Sequence, residues 1–322
     1  MNEDWIDCVR WCHSAEATET VDALIESLVD LGRRSRIASP VMTMVRDEFG
    51  IRNAGYVVLY PGSLASVGHL RSESNDPETV QVSLTKLAKE LFQDAFDMGA
   101  EMVQAISPLI ASTVSVDMDT AFSSPDTQHD LVLRSAGMIP VATLIEMECE
   151  GIQSVPKLVV PATELDCGQL EFIPHHRFQP SQWNQLIERT YIETRDVPEL
   201  NGHRNIESTL AGYAAMIVGI PESWWIVQFN SENVGCLLLT PTDAGHCEIT
   251  YLGLIPEWRS KGLSKSVMNF VWEWASRNGT EVITLAVDLR NTPAIRLYQS
   301  CGFKTERFVQ AWIAFHKKIG KA

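Results

Sequence analysis

The chain has 322 residues, of which 45% are hydrophobic and 21% charged, and its formal net charge is -15. This composition is typical of a soluble globular protein, and the length suffices for two domains of ordinary size. The acidic excess argues against a nonspecific nucleic-acid binder, because such proteins present a basic face to phosphates. We therefore expect no nucleic-acid partner, whereas a cationic ligand such as an amine is compatible with the charge.

The seven cysteines are odd in number and never spaced as C-x-x-C, which is typical of a reduced cytosolic protein. Cys8, Cys12 and His13 can share a helical face, but no second ligand pair follows at the spacing of a zinc site, so no metal is expected. The N-terminus shows no secretory signal, and the nearly apolar run from Ala211 to Ile220 is far shorter than the ~20 residues of a membrane helix. A cytoplasmic protein without a membrane partner is expected.

Residues 1–155 contain two segments that recur in the second half of the chain. Residues 97–103 resemble 277–283, where Gly99 matches Gly279 (279 − 99 = 180), and residues 134–138 resemble 299–303 (302 − 137 = 165). The two offsets differ by 15 residues, which predicts an insertion within 108–122. We interpret the halves as two related domains in tandem. Two unrelated α/β halves with chance glycine matches are the alternative.

Residues 156–168 contain Pro156, Pro161 and a polar run, and we interpret them as a linker to a second domain at 169–322. In that domain the patterns predict strands and helices in alternation, which is typical of a mixed α/β sheet. Ser181 is a plausible helix cap. The predicted strands are 170–173, 224–229, 235–240, 248–255, 282–287 and 308–315, and the predicted helices are 181–193, 263–277 and 293–300.

One motif links the strand ending at 255 to the next helix, and it has the features of a phosphate-binding turn. The motif is Arg259-Ser260-Lys261-Gly262-Leu263-Ser264. A pyrophosphate needs converging N–H donors without side chains in the way, and a helix N-terminus adds partial positive charge. Gly262 lets the backbone approach closely, Ser264 leaves room, and Arg259 and Lys261 can add charge.

This motif and a later one resemble those of the GNAT acetyltransferases. The family pattern R/Q-x-x-G-x-G/A matches at Arg259 and Gly262 and departs at Ser264. The pattern N-x-x-A-x-x-x-Y-x-x-x-G-F matches at Asn291, Ala294, Tyr298, Gly302 and Phe303 without a gap. The resemblance covers about Gly235 to Phe315, and it implies an acyl-CoA N-acyltransferase fold with acetyl-CoA as the acyl donor. The tandem arrangement is similar to that of mycothiol synthase, a likeness that does not extend to the acceptor.

The resemblance also implies roles for individual residues around the donor. The two central parallel strands splay apart in this family, so Leu252 and Leu254 would pair with the pantetheine arm, and an N–H near Leu254 would face the thioester oxygen. Asn291 would fix the neighbouring helix and contact the pantetheine. Tyr298 would protonate the departing thiolate, unless it is packed for structural reasons alone.

Glu248 is the candidate base, because family members often place a catalytic glutamate at this point of the strand. An alkyl amine is mostly protonated at neutral pH and must lose a proton before it attacks. Strand alternation places Glu248 on the same face as Thr250 and Leu252. A solvated carboxylate at the strand end is the alternative.

The first half lacks the matching chemistry. Residues 79–84 stand where the phosphate turn would be and contain no glycine, and Leu133 stands in the place of Tyr298. We therefore expect a degenerate first domain and a catalytic second one.

The acceptor side is expected at residues 194–204, at Trp224-Trp225 and at the closing strand. Asp196 and Glu199 are candidates to hold a cationic amine and His203 to move a proton, although an ordinary polar loop explains them as well. The expected activity is transfer of an acetyl group to a small-molecule primary amine by direct attack. Two alternatives remain: a non-enzymatic acyl-CoA sensor, and a transferase acting on a protein N-terminus or lysine.

Overall fold

The computed structural model describes residues 3–33, 40–109, 127–151, 168–203, 205–216, 223–241 and 245–316. These residues form a mixed α/β fold, as the sequence predicts. The elements of the first half are α1 (Glu3–Cys12), α2 (Thr18–Arg33), β1 (Val41–Asp47), β2 (Gly50–Tyr60), β3 (Leu64–Ser72), α3 (Pro77–Asp97), β4 (Met102–Pro108), α4 (Gln128–Ser135) and β5 (Ile139–Glu150). The second half comprises β6 (Leu170–Pro174), α5 (Pro180–Tyr191), α6 (Ile206–Met216), β7 (Trp224–Phe229), β8 (Glu232–Pro241), β9 (His246–Leu254), α7 (Leu263–Arg277), β10 (Val282–Asp288), α8 (Thr292–Ser300) and β11 (Lys304–Phe315). No described helix is both long and apolar enough to cross a membrane.

The chain divides into two compact units, neither continuous in sequence. Unit 1 comprises Met1–Ala142, Ser208–Ala215 and Val309–Ala322, and unit 2 comprises Thr143–Glu207 and Met216–Phe308. Unit 2 therefore takes in most of β5, and unit 1 takes in the end of β11. The predicted linker at 156–168 and the predicted insertion at 108–122 lie largely outside the described residues, so both stay predictions.

The sheet of unit 2 has the order β5-β10-β9-β8-β7-β6. Residues 144–150 of β5 pair antiparallel with β10, and β10 pairs parallel with β9. One core lies between this sheet and helices α7 and α8, and it includes the fully buried Val267 and Val271 of α7 and Ile283 of β10. The spacing of these apolar residues gives α7 one apolar face, and this face packs on the sheet.

The sheet of unit 1 is built in the same way as the sheet of unit 2. Its order is β1-β2-β3-β4, followed by residues 309–315 of β11, which pair antiparallel with β4. In unit 1 the amides of Glu101 and Met102 donate to the carbonyl of Ser63 at 2.7 and 3.3 Å, and in unit 2 those of Glu281 and Val282 donate to that of Gly245 at 2.7 and 3.2 Å. The donor residues of these contacts are offset by 180 residues, as predicted, and the acceptors by 182 (245 − 63), which supports the interpretation of a repeated α/β pattern.

One cap differs from the prediction. Helix α5 begins at Pro180, with Gln179 as its N-cap residue, and Ser181 lies inside the helix. The Gln179 amide donates to Oε1 of Gln182 at 3.1 Å. A proline in the first turn costs no hydrogen bond there, which explains why the helix begins one residue earlier.

Candidate acyl-transfer site

Strands β9 and β10 of unit 2 separate after a short parallel stretch. Their paired residues run from His246 with Val282 to Glu248 with Thr284. Beyond this point a cleft of about 910 Å³ opens. Its walls include Thr250, Leu252 and Leu254 of β9 and Ala286 and Val287 of β10. The splay that the resemblance implies is therefore confirmed.

Backbone groups of β9 are directed into this opening. The amide of Ile255 donates to the carbonyl of Val234 at 3.0 Å, on the β8 side. Because backbone groups alternate along a strand, the N–H groups of Leu252 and Leu254 point away from β8, toward the splay. The carbonyl of Leu254 is engaged by Arg259 at 3.0 Å, so the N–H is the group that Leu254 can present there.

A β-bulge in β9 changes the face on which Glu248 lies. Leu238 pairs with Tyr251 and Leu239 pairs with Ile249, so Thr250 is an extra residue. A bulge resets the alternation of side chains. The prediction that Glu248 shares a face with both Thr250 and Leu252 is therefore wrong for Leu252.

The side chains of β9 confirm this assignment of faces. Cys247, Ile249, Leu252 and Leu254 pack on the core under α7. The partner of Glu248 in β8 is Thr240, whose hydroxyl lies 2.5 Å from that of Thr250. Glu248 and Thr250 are thus on the opposite face from Leu252.

The Glu248 carboxyl is half-buried beside this bulge, and it is not among the residues that line the cleft. Burial raises its pKa above the usual glutamate range, and the nearby Glu146 carboxylate raises it further. A carboxylate with a raised pKa is a better proton acceptor than an exposed one. Thr250, on the same face of β9, does line the cleft.

The phosphate turn has the open geometry that the motif predicts. Gly262 is the N-cap of α7 with φ +89°, and no side chain caps the helix. Ser260 also takes a positive φ, +60°. Ser260, Gly262 and Ser264 line the cleft. The amide of Lys265 donates to the carbonyl of Gly262 at 3.1 Å, so the N–H groups of Leu263 and Ser264 are the ones that the first turn of α7 can offer to an anion in the cleft.

The arginine of the motif has a structural role that the sequence did not reveal. Its guanidinium donates to four backbone carbonyls, those of Leu254 at 3.0 Å, Glu193 at 3.1 Å, Thr190 at 3.0 Å and Ile192 at 2.8 Å. Three of these acceptors lie at the C-terminal end of α5, whose last carbonyls lack helical partners. Arg259 also lines the cleft, so the expectation that it adds positive charge near the phosphates stays a prediction.

Two other motif residues also serve the fold. Lys261 is exposed and lies over the Trp258 ring, with Nζ 4.5 Å from its centroid. The Leu263 side chain is 1% exposed in the core of unit 2. Each can offer its backbone amide to a donor molecule, whereas neither side chain is among those lining the cleft.

Helix α8 carries the second motif into the cleft. Oδ1 of Asn291 accepts from the amide of Ala294 at 3.4 Å and caps the helix, as predicted. Tyr298 follows one turn beyond Ala294, is 8% exposed, and lines the cleft. Burial raises its pKa well above the ordinary phenol value, and the Asp196 carboxylate and Cys301 add to this. The Tyr298 phenol is thus protonated at neutral pH.

The structure places the residues predicted for the acceptor side in different surroundings. Asp196 lines the cleft, whereas both carboxylate oxygens of Glu199 accept from the Arg290 guanidinium, at 2.5 and 2.8 Å. His203 is exposed and is not among the cleft residues. Trp224 and Trp225 are about 5 and 6% exposed, so they belong to the packing of β7.

A buried carboxylate near the cleft was missed by sequence reasoning. Asp288, fully buried at the end of β10, accepts from the amides of Val197 at 3.0 Å and Arg290 at 2.8 Å. Its position at the carboxyl end of a central parallel strand is the signal that could have identified it.

The equivalent features of unit 1 are closed. The α3 N-terminus is capped by Asp76, whose carboxylate accepts from the amide of Thr79 at 2.9 Å, and Pro77 removes a further N–H. Leu133 is fully buried at the position equivalent to Tyr298. An anion at this helix would meet a carboxylate instead of open N–H groups.

The three residues considered above as possible metal ligands have other contacts in unit 1. Cys8 and Cys12 are buried in the core of unit 1, and His13 lies 2.7 Å from Oε1 of Glu16 and 2.9 Å from the hydroxyl of Tyr56. In the part of the chain that the structure describes, no group of three or more His, Cys, Asp or Glu side chains has the arrangement of a metal site.

Residues 184–303 match the sequence profile of the acetyltransferase (GNAT) family. An uncharacterized N-acetyltransferase from Methanocaldococcus jannaschii is 29% identical over 72 residues, which is 22% of this chain and 32% of that relative. The match thus spans about a third of the relative's length.

Solved structures show the same fold over most of the chain. A GCN5-related N-acetyltransferase from Sphaerobacter thermophilus superposes with a TM-score of 0.55 at 19% identity, covering 85% of this chain and 80% of that one. One from Kribbella flavida gives 0.50 at 13% identity, covering 92% and 95%. The segment that matches the family profile, 184–303, contains the splayed strands β9 and β10, the open N-terminus of α7 and the buried Tyr298.

Proposed function

We propose that the protein is an N-acetyltransferase that moves an acetyl group from acetyl-CoA to a primary amine, with the active site in unit 2. The observation that supports this best is the convergence on one cleft of the splayed strands β9 and β10, the uncapped α7 N-terminus and Tyr298. Six cysteines of the described residues are free thiols, which favours a reduced compartment, and we propose the cytoplasm.

The residues present fit an acyl-CoA donor. The first turn of α7 would hold the pyrophosphate with backbone N–H groups, and Lys265 and Arg296 add positive charge within the cleft. Leu252 and Leu254 would offer N–H groups along the splay, and Asn291 would hold the start of α8 beside it. Acetyl-CoA, when bound, supplies an activated acetyl group on a thiolate leaving group.

The proton transfers are divided between two side chains. An alkyl ammonium gives a proton to Glu248 through water, and its nitrogen then forms the C–N bond with the acetyl carbonyl. The Leu254 N–H stabilises the negative charge on the carbonyl oxygen, a contribution of ~3–4 kcal/mol at comparable sites. As the C–S bond breaks, the Tyr298 hydroxyl protonates the sulfur, and the phenolate regains a proton from the new amide nitrogen. One proton is released to solvent overall.

Calorimetric titration of acetyl-CoA tests the donor site. We expect one site per chain in the wild type and none in Gly262→Asp, because aspartate would need a positive φ and would place a carboxylate beside the phosphates. Gly279→Asp is the matched control, since Gly279 also has a positive φ, +68°, and lies outside the cleft-lining set. Absence of binding to the wild type would contradict the transferase proposal, and two sites would contradict the closed state of unit 1.

A second arm tests the chemistry. Tyr298→Phe should lower kcat by ~10²-fold while acetyl-CoA binding changes little, because the phenol acts only as the thiolate leaves. Thiol release with an amine acceptor measures the rate. Unchanged turnover would remove Tyr298 from the mechanism. A wild type that binds acetyl-CoA and acetylates no amine, free or in a protein, would favour the sensor alternative.

A further inference from the structure

The segment after α5 is held to the end of β10 by reciprocal hydrogen bonds. Oδ1 of Asp196 accepts from the amide of Asp288 at 3.0 Å, and Oδ2 of Asp288 accepts from the amide of Val197 at 3.0 Å. These partners are 91 and 92 residues apart in sequence. A paired contact of this kind fixes both the position and the direction of the Asp196 side chain.

An ion cluster reinforces this contact. Asp288 is fully buried, and its carboxylate accepts from Nη2 of Arg290 at 2.6 Å. The same guanidinium binds Glu199 through both terminal nitrogens. Asp288 and Glu199 thus share the single positive charge of Arg290. Only Asp288 is buried, whereas the Arg290 and Glu199 side chains are 49% and 38% exposed, so removal of Arg290 would leave the Asp288 charge buried without its ion-pair partner.

Val197 shows that the segment is held in a costly conformation. It is a β-branched residue with φ +44°, a region that such residues rarely occupy. Strain of this kind persists only where surrounding contacts over-determine it, and it concentrates at functional sites. Val197 directly follows Asp196, which lines the cleft and whose carboxylate raises the pKa of Tyr298.

We propose that Asp196 binds the ammonium group of a cationic amine acceptor, and that the Asp288–Arg290–Glu199 cluster positions it for that purpose. This inference rests on the proposed function and specifies its acceptor class. The acceptor's charge is recognised by Asp196 within the cleft, on the side where Tyr298 meets the leaving sulfur. Glu248 then receives the proton, so the two carboxylates have separate tasks.

The acceptor class is tested first with wild-type protein and acetyl-CoA. The probes are benzylamine, spermidine and glucosamine, which are largely cationic at neutral pH, and aniline, which is uncharged. We expect thiol release with at least one of the three cationic amines and none with aniline. Turnover of aniline alone, or of none of these amines, overturns the inference. Turnover of aniline alone leaves the proposed function standing, whereas calorimetry that shows no acetyl-CoA binding, or binding without turnover of any amine, contradicts the proposed function itself.

The residue is tested with Asp196→Asn, which keeps an oxygen to accept from the Asp288 amide and removes only the charge. The matched control is Glu193→Gln, a second carboxylate of the cleft lining. With the accepted amine, Asp196→Asn should raise KM about tenfold or more, leaving the acetyl-CoA Kd within about twofold, and Glu193→Gln should change neither. Asp196→Glu should recover part of the loss. An unchanged KM in Asp196→Asn, or an equal rise in Glu193→Gln, would refute the role of Asp196.

Discussion

At the scale of single residues, the surroundings of Glu248 favour its role as a proton acceptor but lower the stability of the folded state at neutral pH. It lies half-buried beside a β-bulge, and burial together with Glu146 raises its pKa. The folded state therefore binds a proton more tightly at this site than the unfolded state does. Stability from this group is greatest below the ordinary glutamate pKa of ~4.3 and falls as pH rises through the folded value.

Replacing Glu248 with glutamine should consequently stabilise the fold at neutral pH. The gain in melting temperature should vanish near pH 4, where both states hold the proton, and grow toward pH 8. Thermal unfolding followed by circular dichroism across this range measures it. Glu306→Gln, at an exposed position of β11, is the control and should change little. A lower melting temperature for Glu248→Gln at pH 8 would show that the carboxylate is stabilised by its surroundings.

Tyr298 illustrates the complementary case of a group kept neutral. Its side chain is 8% exposed, and burial keeps its pKa above the ordinary phenol value. A protonated phenol is the form that can donate to a leaving thiolate, whose own reference pKa is ~8.5. Burial therefore keeps the proposed acid protonated until the sulfur departs.

At the scale of elements, two equivalent helices begin with opposite chemistry. Helix α7 begins at Gly262 with no side-chain cap, whereas α3 begins after Asp76, which caps it with a carboxylate. Open N–H groups attract an anion, and a carboxylate already in place repels one. This contrast gives a physical reason for expecting a single donor site.

Arg259 joins two elements of unit 2, and this predicts a structural defect when it is removed. Arg259→Ala leaves four carbonyls at the ends of α5 and β9 without their donor and should destabilise the free protein by about 2 kcal/mol or more. Urea unfolding in the absence of acetyl-CoA measures this. Lys261→Ala, two residues along on the surface, is the control and should cost under about 1 kcal/mol. Equal stability of Arg259→Ala and wild type would show that these hydrogen bonds are dispensable to the fold, and it would favour the predicted role of Arg259 beside the phosphates.

At the scale of the whole molecule, the strand composition of each unit limits how the chain can be divided. Unit 2 contains residues 144–150, which pair with all of β10 and bury Ile145, Met147 and Cys149 in its core. A fragment cut at the predicted linker lacks this strand. It would expose the edge of β10, an unpaired edge that favours aggregation.

Two fragments test this dependence. Residues 139–322 retain β5, whereas residues 169–322 lack it, and both carry the same end of β11. We expect 139–322 to unfold cooperatively and to bind acetyl-CoA, and 169–322 to aggregate or unfold without cooperativity. Size-exclusion chromatography and thermal unfolding compare them. Cooperative unfolding of 169–322 at the same temperature would show that β5 is dispensable to unit 2.

The sequence by itself determined the strands of the second half and three of its four described helices, α5, α7 and α8, but not α6. The strands and helices lie within a few residues of their predicted bounds, and Gly262, Asn291 and Tyr298 take the predicted places. These features depend on interactions between near neighbours, such as helix caps and apolar periodicity. Local patterns therefore sufficed to predict the elements, whereas the places of Asn291 and Tyr298 were implied by the resemblance to the GNAT motifs.

Only the tertiary structure decided which distant groups these residues meet. The partners of Arg259 at the end of α5 are 66 to 69 residues away, Asp196 meets the amide of Asp288 across 92, and the bulge at Thr250 turns Glu248 from the face of Leu252. The membership of β5 in unit 2 is of the same kind. Such contacts arise from packing and pairing between segments remote in sequence, and local patterns carry no information about them.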